Sequence, residues 1–245
     1  MKSKLVLITG ASRGIGHAIL KHCLSEGYTV AATATSQSGV DQIQSTINQL
    51  GDGKAYQLNL TQDETITTTM GDIQSDFEQP ILCLINNAGV TSDNLMLRMS
   101  VDQWSQVIDT NLTGSFKISK AVLKGMLKAR WGRIVNISSI VSSIGNPGQV
   151  NYAASKAGIE AMTRCLAAEV AARNITVNCI LPGYISSDMT EKINEQHKQL
   201  ILDKIPMKRM GTADEIAQMV LFLLSESTNY MTGQKLIIDG GMYMS

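Results

Sequence analysis

Two kinds of segment alternate along this chain, and the alternation limits its fold more than any other feature. Short runs of β-forming apolar residues lie at positions 5–9, 29–33, 55–58, 82–86, 134–137, 176–180 and 235–238. Longer stretches with helical spacing lie between them, at 15–26, 39–50, 61–77, 101–129, 152–173 and 212–224. Alternating strands and helices form a parallel sheet covered on both faces, with right-handed crossovers. The sequence therefore predicts one Rossmann-like, doubly wound α/β domain over residues 1–245, with a seven-stranded parallel sheet.

The segment 184–210 interrupts this alternation. It shows no strand pattern, is polar and contains Pro206. It follows the sixth predicted strand at its carboxyl end, the edge where open α/β sheets bind ligands. We interpret it as a substrate lid, because long loops in compact domains are usually functional. The alternative is a plain surface insertion.

Composition excludes several functional classes. Basic and acidic residues both number 21, so no overall charge attracts nucleic acid or a membrane surface. The first apolar run is too short for a signal peptide, and no run approaches the ~20 residues of a membrane helix. The cysteines form no C-x-x-C pair and the three histidines are dispersed, so no metal site is predicted. We expect a cytoplasmic protein without a nucleic-acid or membrane partner.

A glycine-rich turn joins the first predicted strand to the first helix. Glycines in such a turn let a pyrophosphate approach the backbone, and the helix start offers free N–H groups and a positive dipole end. The spacing here is G-x3-G-x-G instead of G-x-G-x-x-G, so a purely structural turn is the alternative. We predict a dinucleotide site formed by Gly10, Ser12, Arg13, Gly14, Ile15 and Gly16.

The next strand end favours NADP(H) over NAD(H). NAD-preferring sites place an acidic residue there, at the ribose 2′-hydroxyl. This chain has Thr35 and Ser36 in that region and no acidic residue, while Arg13 supplies a cation for a 2′-phosphate. Further strand ends should line the adenosine half, although asparagines there also brace backbone. These residues are Asn59, Leu60, Asn86, Ala88 and Gly89.

Tyr152 and Lys156 lie four residues apart in a helical stretch, which places them on one helix face. A phenol has a reference pKa of about 10, and a nearby ammonium group lowers it. Upstream, Ser139 ends an apolar run and supplies a hydroxyl for a substrate oxygen, although Ser138 beside it makes the register ambiguous. The set is an acid/base device for carbonyl and alcohol chemistry.

Together these motifs resemble the short-chain dehydrogenase/reductase family over essentially the whole chain. The motifs that carry the resemblance are the glycine turn, Asn-Asn-Ala-Gly at 86–89, Asn111, Ser139, Tyr152 with Lys156, and Pro182-Gly183. The family spacing of thirteen residues before Tyr152 selects Ser139. Segments 93–99, 145–149, 187–190 and 239–244 are most similar to the bacterial branch that reduces 3-oxoacyl groups on acyl carrier protein.

The resemblance implies roles for individual residues. NADPH would give hydride to the C3 carbonyl, Tyr152 would protonate the oxygen, and Ser139 would hydrogen-bond to it. Lys156 would lower the tyrosine pKa and hold the nicotinamide ribose, and Asn111 would position a water for proton relay. Asn111 is otherwise a poor helix former in a helical pattern, for which a surface-facing position is the alternative. Pro182, Gly183 and Ile185 would contact the cofactor.

The resemblance also implies partners. Arg130 and Arg173 would dock the acidic acyl carrier protein, although both follow helix ends, where the helix dipole favours a cation anyway. A homotetramer is expected, with helices 101–129 and 152–173 at one interface and the C-terminal strand and tail at another.

Two other functions stay open on the sequence. A sister reductase for a CoA thioester, another ketone or a sugar would share the same site residues. A catalytically silent NADP-binding sensor or scaffold is the third possibility. The complete set of Ser139, Tyr152 and Lys156 argues against that possibility, because a silent protein needs none of them.

Overall fold

The computed structural model describes residues 4–186 and 195–244. Its sheet has seven parallel strands in the order β3-β2-β1-β4-β5-β6-β7. The predicted fold is confirmed, and every predicted strand is present with ends that differ by two residues at most. The strands are β1 (Leu5–Ile8), β2 (Thr29–Ala34), β3 (Gly53–Gln57), β4 (Ile81–Asn86), β5 (Gly132–Ile137), β6 (Ile175–Pro182) and β7 (Lys235–Ile238).

Helices connect the strands and cover both faces. They are α1 (Gly14–Ser25), α2 (Gln37–Leu50), α3 (Asp63–Phe77), α4 (Val101–Ile108), α5 (Gly114–Ala129), α6 (Val141–Ile144), α7 (Val150–Val170), α8 (Glu195–Asp203) and α9 (Ala213–Leu224). The predicted helix 101–129 is α4 and α5 joined by a five-residue π-helical segment, Asp109–Thr113. Two helices were not predicted: α6 is a single turn, and α8 lies in the polar segment 184–210.

Alternate residues of each strand face opposite layers. In β1, Val6 and Ile8 pack with α1, α2 and α9, whereas Leu5 and Leu7 pack with α3, α5 and α7. Both clusters are almost completely buried, which fixes the register of the sheet. No helix within the described ranges is long and apolar enough to cross a membrane.

The strand order reverses at β1, which pairs with β2 on one side and β4 on the other. Open α/β sheets bind ligands in the crevice at such a point, beyond the carboxyl ends of the strands. The glycine turn and the segments after β4, β5 and β6 all lie at that edge.

Candidate active site

The glycine turn brings α1 against the end of β1 more closely than any side chain would allow. Gly10 and Gly14 have φ values of +67° and +56°. A Cβ on Gly16 would lie 2.2 Å from the carbonyl oxygen of Gly10. The turn therefore requires glycine, and it presents the first N–H groups of α1 at the crevice, as pyrophosphate binding needs. Ser12, Arg13 and Ile15 line the same turn, and Arg13 is exposed at the N-cap of α1.

Asn87 is the asparagine that holds this turn, a residue that the sequence analysis did not select. Its Nδ2 donates to the carbonyls of Thr9, at 3.0 Å, and Gly10, at 2.8 Å. Asn86 instead faces the interior, where its Nδ2 donates to Ser119 Oγ and Asn136 Oδ1. The side chain of Asn86 braces α5 and β5 and is turned away from the crevice. The alternation of side chains was the signal that could have distinguished the two asparagines, because adjacent residues at a strand end face opposite sides of the sheet.

The end of β2 meets the start of α2 beside the glycine turn. Ser36 caps α2, since its hydroxyl accepts from the N–H of Gly39 at 3.2 Å. A Cβ on Gly39 would lie 3.3 Å from Cβ of Ser12, so the start of α2 adjoins the turn. Thr35 is exposed there.

The residues after β3 and β4 mainly contact neighbouring parts of the protein and leave little surface open to the crevice. Asn59 Oδ1 accepts from the N–H and hydroxyl of Thr61, and the buried Leu60 packs against the start of α5 at Gly114. Ala88 packs on Gly10, where a glycine Cβ would lie 2.9 Å from Ala88 Cα. The side chains of Asn59 and Leu60 therefore take the bracing role, and a backbone contact with a cofactor stays a prediction.

Tyr152, Ser139 and Lys156 come together at the carboxyl end of β5. Tyr152 lies in the first turn of α7, and the Ser139 hydroxyl is close enough to lower the pKa of its phenol. Lys156 Nζ lies 5.5 Å from the centre of the Tyr152 ring and donates to the carbonyl of Ile137 at 2.8 Å. Ser138 faces away from the crevice and bonds to α7. The structure thus selects Ser139 as the partner of Tyr152.

The pKa of Tyr152 moves in the opposite direction to the one expected. Burial raises the pKa of Tyr152, the hydrogen bond from Ser139 partly lowers it, and Asp93 raises it further. Burial lowers the pKa of Lys156 to about 8. The spacing of four residues is correct, but the Lys156 ammonium group is held by the Ile137 carbonyl and does not bond to the phenol.

Asn111 lies in the π-helical segment and is fully buried, which rules out the surface-facing alternative. Its Oδ1 accepts from the N–H of Val90 at 2.8 Å, and its Nδ2 donates to the Val90 carbonyl and Ser155 Oγ. Gly89 lies between this amide and Lys156: a Cβ there would be 3.2 Å from Asn111 Oδ1 and 3.5 Å from Lys156 Nζ. Asn111 therefore joins the segment after β4 to the Lys156 region. π-Helical turns frequently occur at functional sites.

The end of β6 completes the crevice. Pro182 is its last residue, and Gly183 passes so close to β7 that a Cβ would lie 2.7 Å from Asp239 Cα. Ile185 forms a bridge with Gly211, and Ser186 donates to the Gly211 carbonyl at 2.8 Å. The two ends of the predicted lid are thus joined, while residues 187–194, which include the whole 187–190 motif, lie outside the described residues.

The comparisons agree with this geometry. A family model described as Enoyl-(Acyl carrier protein) reductase matches residues 10–243. The 3-oxoacyl-(acyl-carrier-protein) reductase FabG of Pseudomonas aeruginosa is 48% identical over 246 residues, covering 100% of this chain and 99% of the relative. FabG of Haemophilus influenzae is 47% identical (100% of each chain), and FabG of Escherichia coli K12 is 44% identical (99% of this chain, 98% of the relative). The chain belongs to the short-chain dehydrogenase/reductase family.

Asn151, a second asparagine that the sequence analysis did not select, fixes the start of α7. Asn151 is fully buried, and its Nδ2 donates to the carbonyls of Ser92 and Gln103. Its Oδ1 accepts from the N–H of Tyr152 at 2.8 Å. Its position directly before Tyr152 was the available signal, because asparagine commonly bonds to nearby backbone at helix starts.

Arg130 and Arg173 do not lie at the site edge of this short-chain dehydrogenase/reductase. Both are exposed; Arg130 directly follows α5, near the start of β5, and Arg173 precedes β6. The amino ends of these strands pair at Gly132 and Ile175. The site lies at the carboxyl ends, about 20 Å away at ~3.3 Å per strand residue. The two arginines of the expected docking pair therefore lie at the amino ends of β5 and β6, and the site of the same chain lies at the carboxyl ends.

Proposed function

We propose that this chain reduces the 3-oxoacyl group of an acyl-carrier-protein thioester to the 3-hydroxyacyl form, with NADPH, in fatty-acid synthesis. The observation that carries the proposal is the placement of Ser139 and Lys156 around Tyr152, beside a glycine turn that requires glycine. Relatives named for this reaction cover the whole chain.

The residues of the crevice fit a dinucleotide. The turn at Gly10, Gly14 and Gly16 leaves backbone open at the start of α1, where a pyrophosphate binds favourably. Lys156 and Gly89 lie on the far side of the same crevice. Pro182, Gly183 and Ile185 would border the nicotinamide end. When bound, the cofactor supplies a hydride to C3 of the acyl group.

Side chains of the protein supply the proton that the substrate oxygen receives. As C3 accepts two electrons, the carbonyl π electrons move to oxygen, and Tyr152 transfers its O–H proton to that oxygen. The raised pKa of Tyr152 keeps the phenol protonated at neutral pH, as a general acid must be. Ser139 donates a hydrogen bond to the developing charge. Lys156, with a pKa of about 8, is largely protonated at pH 7 and returns a proton to the Tyr152 phenolate. Asn111 would hold a water for that return.

Steady-state cofactor oxidation tests the proposal. Purified protein is assayed with acetoacetyl-carrier protein, acetoacetyl-CoA and crotonyl-carrier protein, each with NADPH and with NADH. We expect turnover of the acetoacetyl substrates, with preference for the carrier. Turnover of CoA thioester alone would indicate a sister reductase, and turnover of crotonyl thioester alone would favour the reaction in the family description. Tight NADPH binding without turnover would indicate a silent binder.

The preference for NADPH rests on Arg13 and on the exposed end of β2. Arg13, Thr35 and Ser36 are exposed beside the turn, and Ser36 caps α2 next to Ser12. A 2′-phosphate there would meet a cation and hydroxyls. Arg13→Ala should raise the Kd for NADPH by about tenfold and leave the Kd for NADH nearly unchanged. Arg13→Lys is the matched control; equal weakening of both cofactors by Arg13→Ala would contradict the role.

Arg130 and Arg173 are proposed to dock the carrier for a neighbouring subunit. Because the two arginines lie far from the site of their own chain, a carrier docked on them would deliver its acyl group more directly to the site of a neighbouring subunit. The docking proposal therefore includes the homotetramer. Reversing both to Glu should reduce kcat/KM on the carrier substrate and spare acetoacetyl-CoA. A charge-matched control is Lys21→Glu with Lys54→Glu, two exposed cations elsewhere. Equal loss on both substrates would end the docking proposal.

The homotetramer and the cytoplasmic location stay predictions. Val101, Trp104 and Phe116 are exposed on α4 and α5, with 78%, 38% and 51% of their surface accessible. An apolar face of this kind fits the interface that the family implies. Sedimentation velocity tests it: a monomer at micromolar concentration would contradict the tetramer.

A further inference from the structure

A buried carboxylate lies beside the site, and none of the roles above uses it. Glu160 is on α7, one helical turn after Lys156 and two after Tyr152, and only 8% of its surface is exposed. Buried carboxylates are rare unless they are paired and hydrogen-bonded. Its position therefore requires an explanation from its contacts.

The contacts of Glu160 are with the two serines that flank Ser139. Ser138 Oγ lies 3.1 Å from Glu160 Oε1 and 3.1 Å from the Lys156 carbonyl. Ser142 Oγ donates to the same Oε1 and lies 2.6 Å from the carbonyl of Ser139 itself. One carboxylate oxygen thus holds the chain on both sides of Ser139.

We propose that Glu160 is a positioning residue for the reaction: through Ser138 and Ser142 it fixes the Ser139 hydroxyl against Tyr152. The inference rests on the proposed function, since it assigns Glu160 to the same acid/base pair. Hydrogen bonds to a carboxylate are about twice as strong as those between neutral groups, which suits a short segment that must be held rigidly.

The charged and titratable groups around Glu160 support a fixed carboxylate. Lys235 on β7 places its Nζ 4.0 Å from Glu160 Oε2, and this lysine is 43% exposed. Lys156 lies on the same helix. The pKa of the Cys179 thiol on β6 is raised first by burial and second by the charge of Glu160. Oε2 therefore faces a cation, while Oε1 faces the serines. The carboxylate joins α7, the Ser139 segment and the last strand at one point.

The effect on Tyr152 has a definite direction. The Ser139 hydrogen bond lowers the pKa of Tyr152, against the burial that raises it. If the Ser139 segment loosens, that bond weakens and the pKa of Tyr152 rises further. A residue that only stabilises the fold would not change this pKa in the folded protein.

The test is a set of variants measured on the same carbonyl substrate. Glu160→Ala should lower kcat by about 10- to 100-fold with little change in KM, because a small displacement of a site group has that cost. Ser142→Ala should act in the same direction. The double variant should lose no more than the larger single loss, since coupled residues are not additive. Glu160→Gln, whose amide oxygen still accepts from both serines, should restore kcat to within about threefold of wild type.

Controls and a second readout keep the inference separate from the proposed function. Glu169→Gln on the exposed side of α7 and Ser143→Ala, next to Ser142, should leave kcat unchanged. The ultraviolet titration of Tyr152, taken as the difference between a protein and its Tyr152→Phe form, should move upward in Glu160→Ala. This readout needs no turnover, so it holds even if the substrate is a different ketone. Unchanged kcat and titration in folded Glu160→Ala, or additive losses in the double variant, would overturn the positioning role.

Discussion

Strand β5 has a buried cation at each end, and the two are held in opposite ways. At its amino end, Arg133 is 2% exposed, bonds to the carbonyls of Gly132 and Asn174 and to Asn229, and lies 3.8 Å from Glu226. At its carboxyl end, Lys156 is 4% exposed and bonds to the carbonyl of Ile137.

Their surroundings differ in the same way. The Arg133 guanidinium stacks on Trp131 at 4.3 Å, and Lys4 lies over the same ring and bonds to Glu226. Lys156 faces Tyr152 and Gly89 at the crevice, and burial lowers its pKa to about 8. An arginine with many partners stays charged and serves the structure. A lysine with few partners is poised to exchange a proton near neutral pH.

The largest effect should come from removing Lys156, the cation that we propose exchanges a proton. Lys156→Met keeps the volume and removes the ammonium group, so we expect kcat to fall by about 10³-fold. The free energy of unfolding at pH 7 should stay equal or increase, because a buried and weakly paired charge is lost. Chemical denaturation and steady-state rates measure the two quantities; a less stable but active variant would place Lys156 with Arg133 as structural.

Tyr152→Phe sharpens the role of Lys156. Loss of the proposed general acid should lower kcat by about 10²-fold or more, with fold and NADPH binding nearly intact. If Lys156 acts through the phenol, the double variant Lys156→Met with Tyr152→Phe should be little worse than the worse single variant. Near-normal turnover of Tyr152→Phe would overturn the mechanism.

The pH dependence of stability reports the pKa of Lys156 without any substrate. An unfolded lysine keeps its proton up to about pH 10.4, whereas Lys156 loses it near pH 8 in the folded protein. The unfolded state thus binds more protons between these values, and stability should rise with pH there, by about 3 kcal/mol in total. Below pH 8 the penalty for burying the charge is fully present. Wild type minus Lys156→Met isolates this contribution in denaturant titrations; equal slopes would contradict the lowered pKa.

Arg133→Met should show the reverse pattern with the smallest effect. The exposed Glu226 can turn to water, but two carbonyls and Asn229 lose a partner, so we expect a loss of about 2 kcal/mol. kcat at 25 °C should be unchanged, because Arg133 lies at the far end of the strand. Thermal unfolding checks the first point, and a kcat reduced more than about threefold would show that the two ends of β5 are coupled.

These two cations also show what the sequence could and could not predict. The number of strands follows from apolar periodicity, and the positions of Tyr152 and Lys156 follow from helical spacing. Arg133 carries no such signal, since a cation in an apolar strand is unusual and its partners come from residues 174, 226 and 229. The sequence analysis predicted a lowered pKa for Tyr152, and this direction was wrong. The pKa depends on burial and on Asp93, and the spacing of residues along the chain reveals neither. Asn86 and Asn87 show that the side of the strand decides which of two neighbours faces the crevice.

The joined ends of the segment after β6 have a consequence for engineering. Gly211 N–H donates to the Tyr184 carbonyl at 2.9 Å, and Ser186 N–H donates to the Gly211 carbonyl, so both ends of the segment are tied to one place in the fold. The described part of the segment is anchored as well, because Ile201 and Ile205 are buried and Met207 N–H donates to the Gly240 carbonyl at 3.1 Å. An exchange of this segment should therefore keep apolar residues at positions 201 and 205, since a cavity there would reduce stability. Under that condition, β6 and α9 can keep their positions while the segment changes.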